Sequence, residues 1–554
     1  MSLMNLMIIL CQLVISFVSK HCNGVKSTYE PSEYENSHAR ERFHFDMITE
    51  TFVIDELNKM ALNKAVGSDG ISSKMLRIAQ SCITCSLTFI LNLSLKTGQF
   101  PSEWKRARVS PIHKNGDKHD VGNYRPISIL PIITKLIERA VHNQLYNFLQ
   151  SYDLLNENQS GFRPAHSCET ALLNMVDHWS KKVDDGYMIG AAFIDLSKAF
   201  DTVDHGILLK KLEVYGCSYH VLKWFASYLH NRRQYVANKG ISSEDKIINI
   251  GVPQCSILGP LLFTLFINDL PTVLSYAHTD MYADDTTLSV AGKSKEEIEH
   301  LLEESLKSVD AWLRNNKLVL NIKKTFVMLI GTQNGLKRCT DMLDVKLNGI
   351  RIEQTAVTKC LGVMVDCNLN FKDHIDYICK KVKQKLAFLR KLRQNLTNQQ
   401  MIFLFNAYIL PHLQYCSTVW GSRSRHNDSK LTKIFNRGAR LVNNSTWDTP
   451  MEEVLYDLGL INIMQRLSRC DAIMVYKCLN NEAPPYLCNK FLSLTQEHSH
   501  KTRLKESNGL RLPPCRTDFY CKSFVFRGTK IWNNLSETTK NCQNLNSFKR
   551  NLVI

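Results

Sequence analysis

The sequence predicts an α+β protein, on three observations. Tyr187 to Ile194 is a continuous apolar run that reads as a buried strand and stops on Asp195. Met281 to Val290 reads as a strand, a tight turn and a second strand, with Asp284 and Asp285 at the tip. Around these strands, apolar residues recur at helical spacing, as in Leu136, Ile137, Val141, Leu145 and Leu149.

The elements follow in order. Met4 to Val18 is apolar but short for a membrane span, and no basic residue precedes it. It reads as a signal-like segment or as a non-native start, and a polar linker follows it. Ile48 to Lys64 is helical, with Phe52, Val53, Leu57, Met60 and Leu62 as its apolar residues. Trp104 to Ile112 is a basic strand, and Asn123 to Pro131 leads into the helix that carries Leu136 to Leu149. Gly251 to Pro260 is a breaker-rich loop opening a very apolar helix from Leu261 to Leu270. Ser294-Lys295-Glu296-Glu297 is a capping pattern for a helix carrying Ile298, Leu302, Leu306, Val309 and Leu313. Cys360 to Val365 reads as a short strand. Ile375 to Leu392 reads as a helix with lysines and arginines crowding its polar faces. Beyond Pro411 the chain is mainly helical, and past Pro484 it becomes polar and weakly patterned.

Composition sets bounds. A chain of 554 residues with 44% hydrophobic and 22% charged residues holds real cores, in roughly two to four domains. The net charge of +17 suits a polyanionic partner such as nucleic acid. Cys82 and Cys85 form a lone Cys-x-x-Cys with no second pair, which argues against a zinc site. Cys360, Cys379 and Cys416 sit in apolar runs, as reduced, buried thiols of an intracellular protein would.

The chemistry concentrates in the carboxylates. Adjacent Asp284 and Asp285 repel each other, and a hard divalent cation is one return that keeps such a pair. An Asp-rich turn is otherwise an ordinary solvated loop. Asp195 ends a central strand, where a carboxylate is costly unless it is paired, metal-bound or capping a helix. Arg125 and Arg163 lie beside aromatic residues, and Gln254 and Ser256 offer amide and hydroxyl groups to a nucleic-acid strand.

Seven blocks in this order resemble the reverse transcriptases of non-LTR, LINE-type retrotransposons of the jockey-like sort. They are Asn123–Pro131, Gln159–Glu169, Phe193–His205, Gly251–Pro260, Tyr282–Asp285, Asn321–Thr325 and Cys360–Asp366. The likeness extends from Ile48 to Trp420, about two thirds of the chain. It implies a right-hand polymerase of fingers, palm and thumb, with an antiparallel palm sheet and a mainly helical C-terminal region. It divides the chain into an apolar run and linker (1–45), fingers with an N-terminal extension (46–185), palm with an interleaved fingers segment (186–368), thumb (369–425) and a C-terminal region of unknown role (426–554).

The resemblance also implies the roles. Asp195, Asp284 and Asp285 would hold two Mg²⁺ ions, with Mn²⁺ as a substitute. Lys324 would neutralise or protonate pyrophosphate. Phe200 would stack under the sugar and exclude a ribose 2′-hydroxyl. Arg125 and Arg163 would grip triphosphate or template, a task that suits the planar guanidinium. Gln254 would contact template and incoming nucleotide. Leu361, Gly362 and Val363 would form the primer grip.

Partners would be an RNA template, a DNA primer and deoxynucleoside triphosphates. No endonuclease domain precedes residue 48 and no zinc knuckle closes the chain, so a fragment is expected and nicking would come from elsewhere. Location would be intracellular, in cytoplasm and nucleus, without stable membrane association, although the first residues can be read as a signal or membrane segment. The chain departs from the family at Cys255 and Ala165, where Gly is usual, and at Cys168, where Thr is favoured. These departures motivate an alternative, a catalytically inactive nucleic-acid-binding remnant.

Overall fold

The computed structural model describes residues 42–114, 116–238, 241–339, 341–421, 424–494 and 508–553. The apolar run Met4–Val18 lies outside them. The chain is α+β with a helical C-terminal region and divides into two compact units.

The first unit contains the described residues up to Phe162, with Asp195–Ser275 and Leu306–Asn321. Its sheet is built on the strand Arg106–His113, which runs antiparallel to Tyr124–Ile129 and parallel to Arg232–Asn238. Tyr124–Ile129 is an edge strand, so Pro126, which has no N–H to give, is tolerated there. The helix Leu258–Ile267 is the hydrophobic axis of the unit, and Leu262, Phe263, Leu265 and Phe266 are fully buried. Two ionisable groups are buried beside it with their polar needs met. Lys211 reaches Asp269 and the Phe266 carbonyl, each at 2.6 Å. Glu138 accepts from Tyr228 Oη at 2.8 Å and from the Ile257 N–H at 2.7 Å.

The second unit contains Arg163–Ile194, Tyr276–Ser305 and the described residues from Ile322 onward. Met188–Ile194 is the central strand of its five-stranded sheet, antiparallel to Asp285–Gly292 on one side and to Phe326–Ile330 on the other. The hairpin partner His278–Tyr282 forms one edge. The run Gly190-Ala191-Ala192 is small for a reason. A Cβ on Gly190 would lie 2.3 Å from Ile298 Cγ2, so the glycine lets the helix Lys295–Asn315 close onto the sheet.

The same unit carries the C-terminal helices on one continuous core. Trp179, Val365, Ile375, Phe435, Val475, Phe524 and Phe548 all belong to it. Among the described residues past Pro484, the weak patterning therefore conceals an ordered structure. Asp184 accepts from the N–H groups of Arg516 and Thr517, and Asp177 accepts from Phe524 N–H at 3.0 Å. These bonds fasten the last part of the chain to the helix Cys168–Asp184.

Several expectations change. The predicted helix over Ile48–Lys64 is Glu50–Lys59. Cys360–Val365 is not one strand but the tip of a hairpin between Val357–Cys360 and Val363–Asp366. Cys360, Cys379 and Cys416 are free, buried thiols, and Cys515 and Cys521, for which the sequence raised no expectation, are bonded to each other. The expectation about location is corrected. Among the described residues no helix is long and apolar enough to cross a membrane. The most apolar helix, Leu258–Ile267, has 10 residues, well short of the roughly 20 a span needs. The signal or membrane reading rested on residues outside the described ones, so the assignment of location is withdrawn.

Candidate active site

In the first unit, Asp195 is fixed by Asn321. The Asn321 backbone N–H donates to the Asp195 carbonyl at 2.9 Å, and its side-chain amide donates to Asp195 Oδ2 at 3.1 Å. A bridge between Leu196 and Leu320 and a bond from Ser197 N–H to the Val319 carbonyl extend this pairing. The sequence reading did not single out Asn321 as a partner of Asp195.

Past Asp195 the chain turns sharply. Lys198 sits at φ 50, and a one-turn helix, Ala199–Asp201, presents Phe200. The Phe200 ring stacks on Phe263 at 4.2 Å and meets the edge of Phe162 at 6.1 Å. The Gly251–Pro260 loop is tied to this turn. Val252 N–H donates to the Phe200 carbonyl at 2.9 Å, and Gly251 N–H donates to the Val203 carbonyl at 2.7 Å. Gly251 has φ 83, and a Cβ there would lie 2.7 Å from the Asp201 carbonyl oxygen. Gln254 donates through Nε2 to Asp201 Oδ1 at 2.9 Å. Burial pushes the Asp201 carboxyl up to about 6, against the pull of Gln254 and Lys198.

Cys255 is exposed, with φ 75. The position asks for glycine because of its backbone conformation, as well as for any need of close approach. Ala165, the second departure, has φ 63 and the same explanation. Arg125 is exposed on the edge strand, opposite Ile112.

In the second unit, Asp284 and Asp285 are exposed at a two-residue hairpin. Ala283, the first loop residue, has φ 55, a conformation that L residues pay to adopt. The register gives the order of the parts. Ile194, the residue before Asp195, pairs with Thr286, the residue after Asp285. Phe193 pairs with both Thr287 and Phe326, and exposed Lys324 lies two residues before Phe326. Arg163 is half-buried at the start of the unit.

Leu361 and Gly362 form the other hairpin tip, with φ 44 and 89, so both loop residues are left-handed as a tight type I′ turn requires. Tyr415 Oη donates to the Leu361 carbonyl at 2.8 Å. A Cβ on Gly362 would lie 3.1 Å from the Tyr415 ring. Cys360, at the base of this turn, is pushed up to about 12 by burial and then by the Asp285 charge, and it hydrogen-bonds Thr287. The Cys168 thiol meets both Tyr282 and Tyr415. The hairpin of Leu361 and the hairpin of the two aspartates therefore neighbour each other through Cys360, Cys168 and Tyr415. None of these three was given a role by the sequence reading.

Among the described residues, no group of three or more His, Cys, Asp or Glu side chains is gathered closely enough to hold a metal ion. The donor chemistry nevertheless fits a hard cation. The ligands on offer are carboxylate oxygens, two of them exposed on a strained turn. Mg²⁺ characteristically takes one or two carboxylates and completes its shell with substrate phosphates and water, not with an all-protein cage.

Residues 112–365 match the family model described as reverse transcriptase (RNA-dependent DNA polymerase). That family generally uses divalent metal ions. The chain is 29% identical over 431 residues to the probable RNA-directed DNA polymerase from transposon BS of Drosophila melanogaster, covering 75% of this chain and 47% of that protein. It is 29% identical over 448 residues to the RNA-directed DNA polymerase from mobile element jockey of the same species, covering 78% of this chain and 48% of that one. A jockey counterpart in Drosophila funebris is 26% identical over 433 residues, covering 76% and 47%. The chain spans about half the length of the curated relatives it matches.

Proposed function

We propose that this chain, which over residues 112–365 is a reverse transcriptase domain of the jockey-like, non-LTR kind, acts as an RNA-directed DNA polymerase. One observation carries the reading. The strand that ends before Asp195 is in register with the strand that begins at the exposed Asp284-Asp285 turn. Asp195 and Asp284 would be the principal ligands of two Mg²⁺ ions, for which Mn²⁺ can substitute, and Asp285 the looser third. When bound, the ions supply charge neutralisation on the triphosphate and a lowered pKa for the primer 3′-hydroxyl.

The chain's own residues do the rest. Asn321 holds the Asp195 carboxylate in one orientation. Phe200, backed by Phe263, forms a fixed wall against which a deoxyribose fits and a 2′-hydroxyl clashes. Gln254, oriented by Asp201, faces template and incoming nucleotide. Arg125 and Arg163 bind phosphates, and Lys324 gives a proton or its charge to the departing pyrophosphate. Leu361, Gly362 and Val363 hold the primer end, with Tyr415 stiffening their turn. Residues 46–185 are assigned to the fingers with the N-terminal extension, 186–368 to the palm and 369–425 to the thumb.

Extension of a DNA primer annealed to RNA, with Mg²⁺ and deoxynucleotides, tests this reading. Asp284→Asn should abolish synthesis while leaving template binding intact. Normal synthesis by that variant would end the proposal. A parent chain that binds RNA with a steep salt dependence yet never extends would instead be the inactive remnant. Cys255, held at φ 75 where glycine is usual, is the observation that favours that second reading.

A further inference from the structure

A pocket of about 520 Å³ opens in the second unit between the ends of the helices Lys372–Leu392 and Arg425–Asn443. Arg390 reaches it from the first helix. Lys433, Arg437 and Arg440 reach it from the second, at the spacing that puts residues on one helical face. Among the described residues no carboxylate lines it. Beyond the helix end, Asn444 takes the left-handed conformation at φ 58 and turns the chain into a loop bearing Trp447.

That loop is built and held. Arg440 donates through Nε to the Thr446 carbonyl at 3.1 Å and through Nη2 to the Thr449 carbonyl at 2.8 Å. The exposed Asp448 carboxyl, beside Trp447, is held below its ordinary range by Thr446 first and, more weakly, by the charge of Arg440. Trp447 is 87% exposed, although an indole of that size normally finds cover. The buried Ser445 hydroxyl, which lines the pocket, has no hydrogen-bond partner among the described residues.

A cluster of cations with no carboxylate in the lining, an unpartnered hydroxyl and an uncovered indole beside them form one chemical pattern. The cations match phosphates, and the indole matches the face of an unstacked base. A fully paired duplex offers phosphates but no free base face. We propose that this pocket is a second nucleic-acid site of the chain, one that takes an unpaired strand. Trp447 stacks on a base, Arg390, Lys433 and Arg437 hold the flanking phosphates, and Ser445 accepts or donates one further bond. The site goes beyond the polymerase reading and needs neither nucleotides nor metal to be observed.

Fluorescence anisotropy of the full chain with a labelled single-stranded oligonucleotide tests it, in RNA and DNA arms, with a blunt duplex as the third arm. The double variant Lys433→Glu, Arg437→Glu should bind the single strand at least roughly tenfold more weakly. Its plot of log affinity against log salt should be shallower by about 0.7 for each phosphate no longer neutralised. Trp447→Ala should lose roughly tenfold for the single strand, with the salt slope unchanged and the duplex arm unaffected. The substitutions leave the buried core untouched, and thermal melts should match the parent. Primer extension at saturating primer–template should stay at the parental rate. Tighter parental binding in one arm identifies the strand as RNA or as DNA, and either supports the site. Parental single-strand affinity in both variants, or equal losses for single strand and duplex in Trp447→Ala, overturns it.

Discussion

The side-chain amide of Asn321 donates to the carboxylate of Asp195 at 3.1 Å, and the backbones of the same two residues are bonded at 2.9 Å. A carboxylate held from behind in this way presents its other oxygen in a fixed direction. Partners of this kind are typically worth roughly 10- to 100-fold in metal affinity or activity. Asn321→Ala should therefore raise the Mg²⁺ concentration needed for half-maximal extension by about that factor, and excess Mg²⁺ should restore much of the rate. An unchanged Mg²⁺ dependence would remove Asn321 from the account.

Tyr415 acts at the second hairpin. Tyr415→Phe removes the donor to the Leu361 carbonyl and costs on the order of 1 kcal/mol locally. Extension by the variant should show a raised KM for primer–template with deoxynucleotide KM nearly unchanged. A change confined to the deoxynucleotide KM would place this turn elsewhere in the mechanism.

Cys255 occupies a conformation that costs an L residue about 1 kcal/mol. Cys255→Gly should shift the denaturation midpoint upward by up to that amount, less what glycine returns to the unfolded chain. Cys255→Val should shift it downward, because a β-branched side chain tolerates φ 75 worse. Equal midpoints for all three chains would mean that the loop relaxes away from this geometry.

Asp201 gives a pH signature. Burial raises its folded-state carboxyl from the ordinary 3.8 to about 6, so the folded chain binds the extra proton between those values. Stability contributed by this group is therefore fully present below about pH 4, falls as pH rises, and is gone above about pH 6. The span is on the order of 3 kcal/mol. Asp201→Asn keeps an acceptor for Gln254 but cannot ionise. Its stability relative to the parent should rise between about pH 4 and 7, as read from urea midpoints. A constant difference across that window would contradict the assignment.

Much of this was legible in the sequence because the signals were local. An apolar run ending on Asp195 and an Asp-Asp pair between β-prone residues define strands and a turn by themselves. The glycine pattern was legible as a departure at Cys255 and Ala165. Its cause, a positive φ at each, needed the backbone. Asn321, Cys168, Cys360 and Tyr415 were not legible as partners. Their bonds join residues between about 50 and 250 positions apart, and no periodicity records such pairings. The C-terminal region failed for a related reason. Phe524, Trp532 and Phe548 are sparse along the chain and become a core only against helices far earlier in the sequence.

Site-directed cleavage with bound iron tests the central claim most directly. Fe²⁺ in place of Mg²⁺, with ascorbate and peroxide, cuts the backbone within reach of the ion. The account predicts paired cuts, one near residue 195 and one near 284–285, both suppressed by excess Mg²⁺ and both lost in Asp284→Asn. Cutting at only one of the two places, or a cut near 195 that persists in Asp284→Asn, would show that these carboxylates do not share their ions.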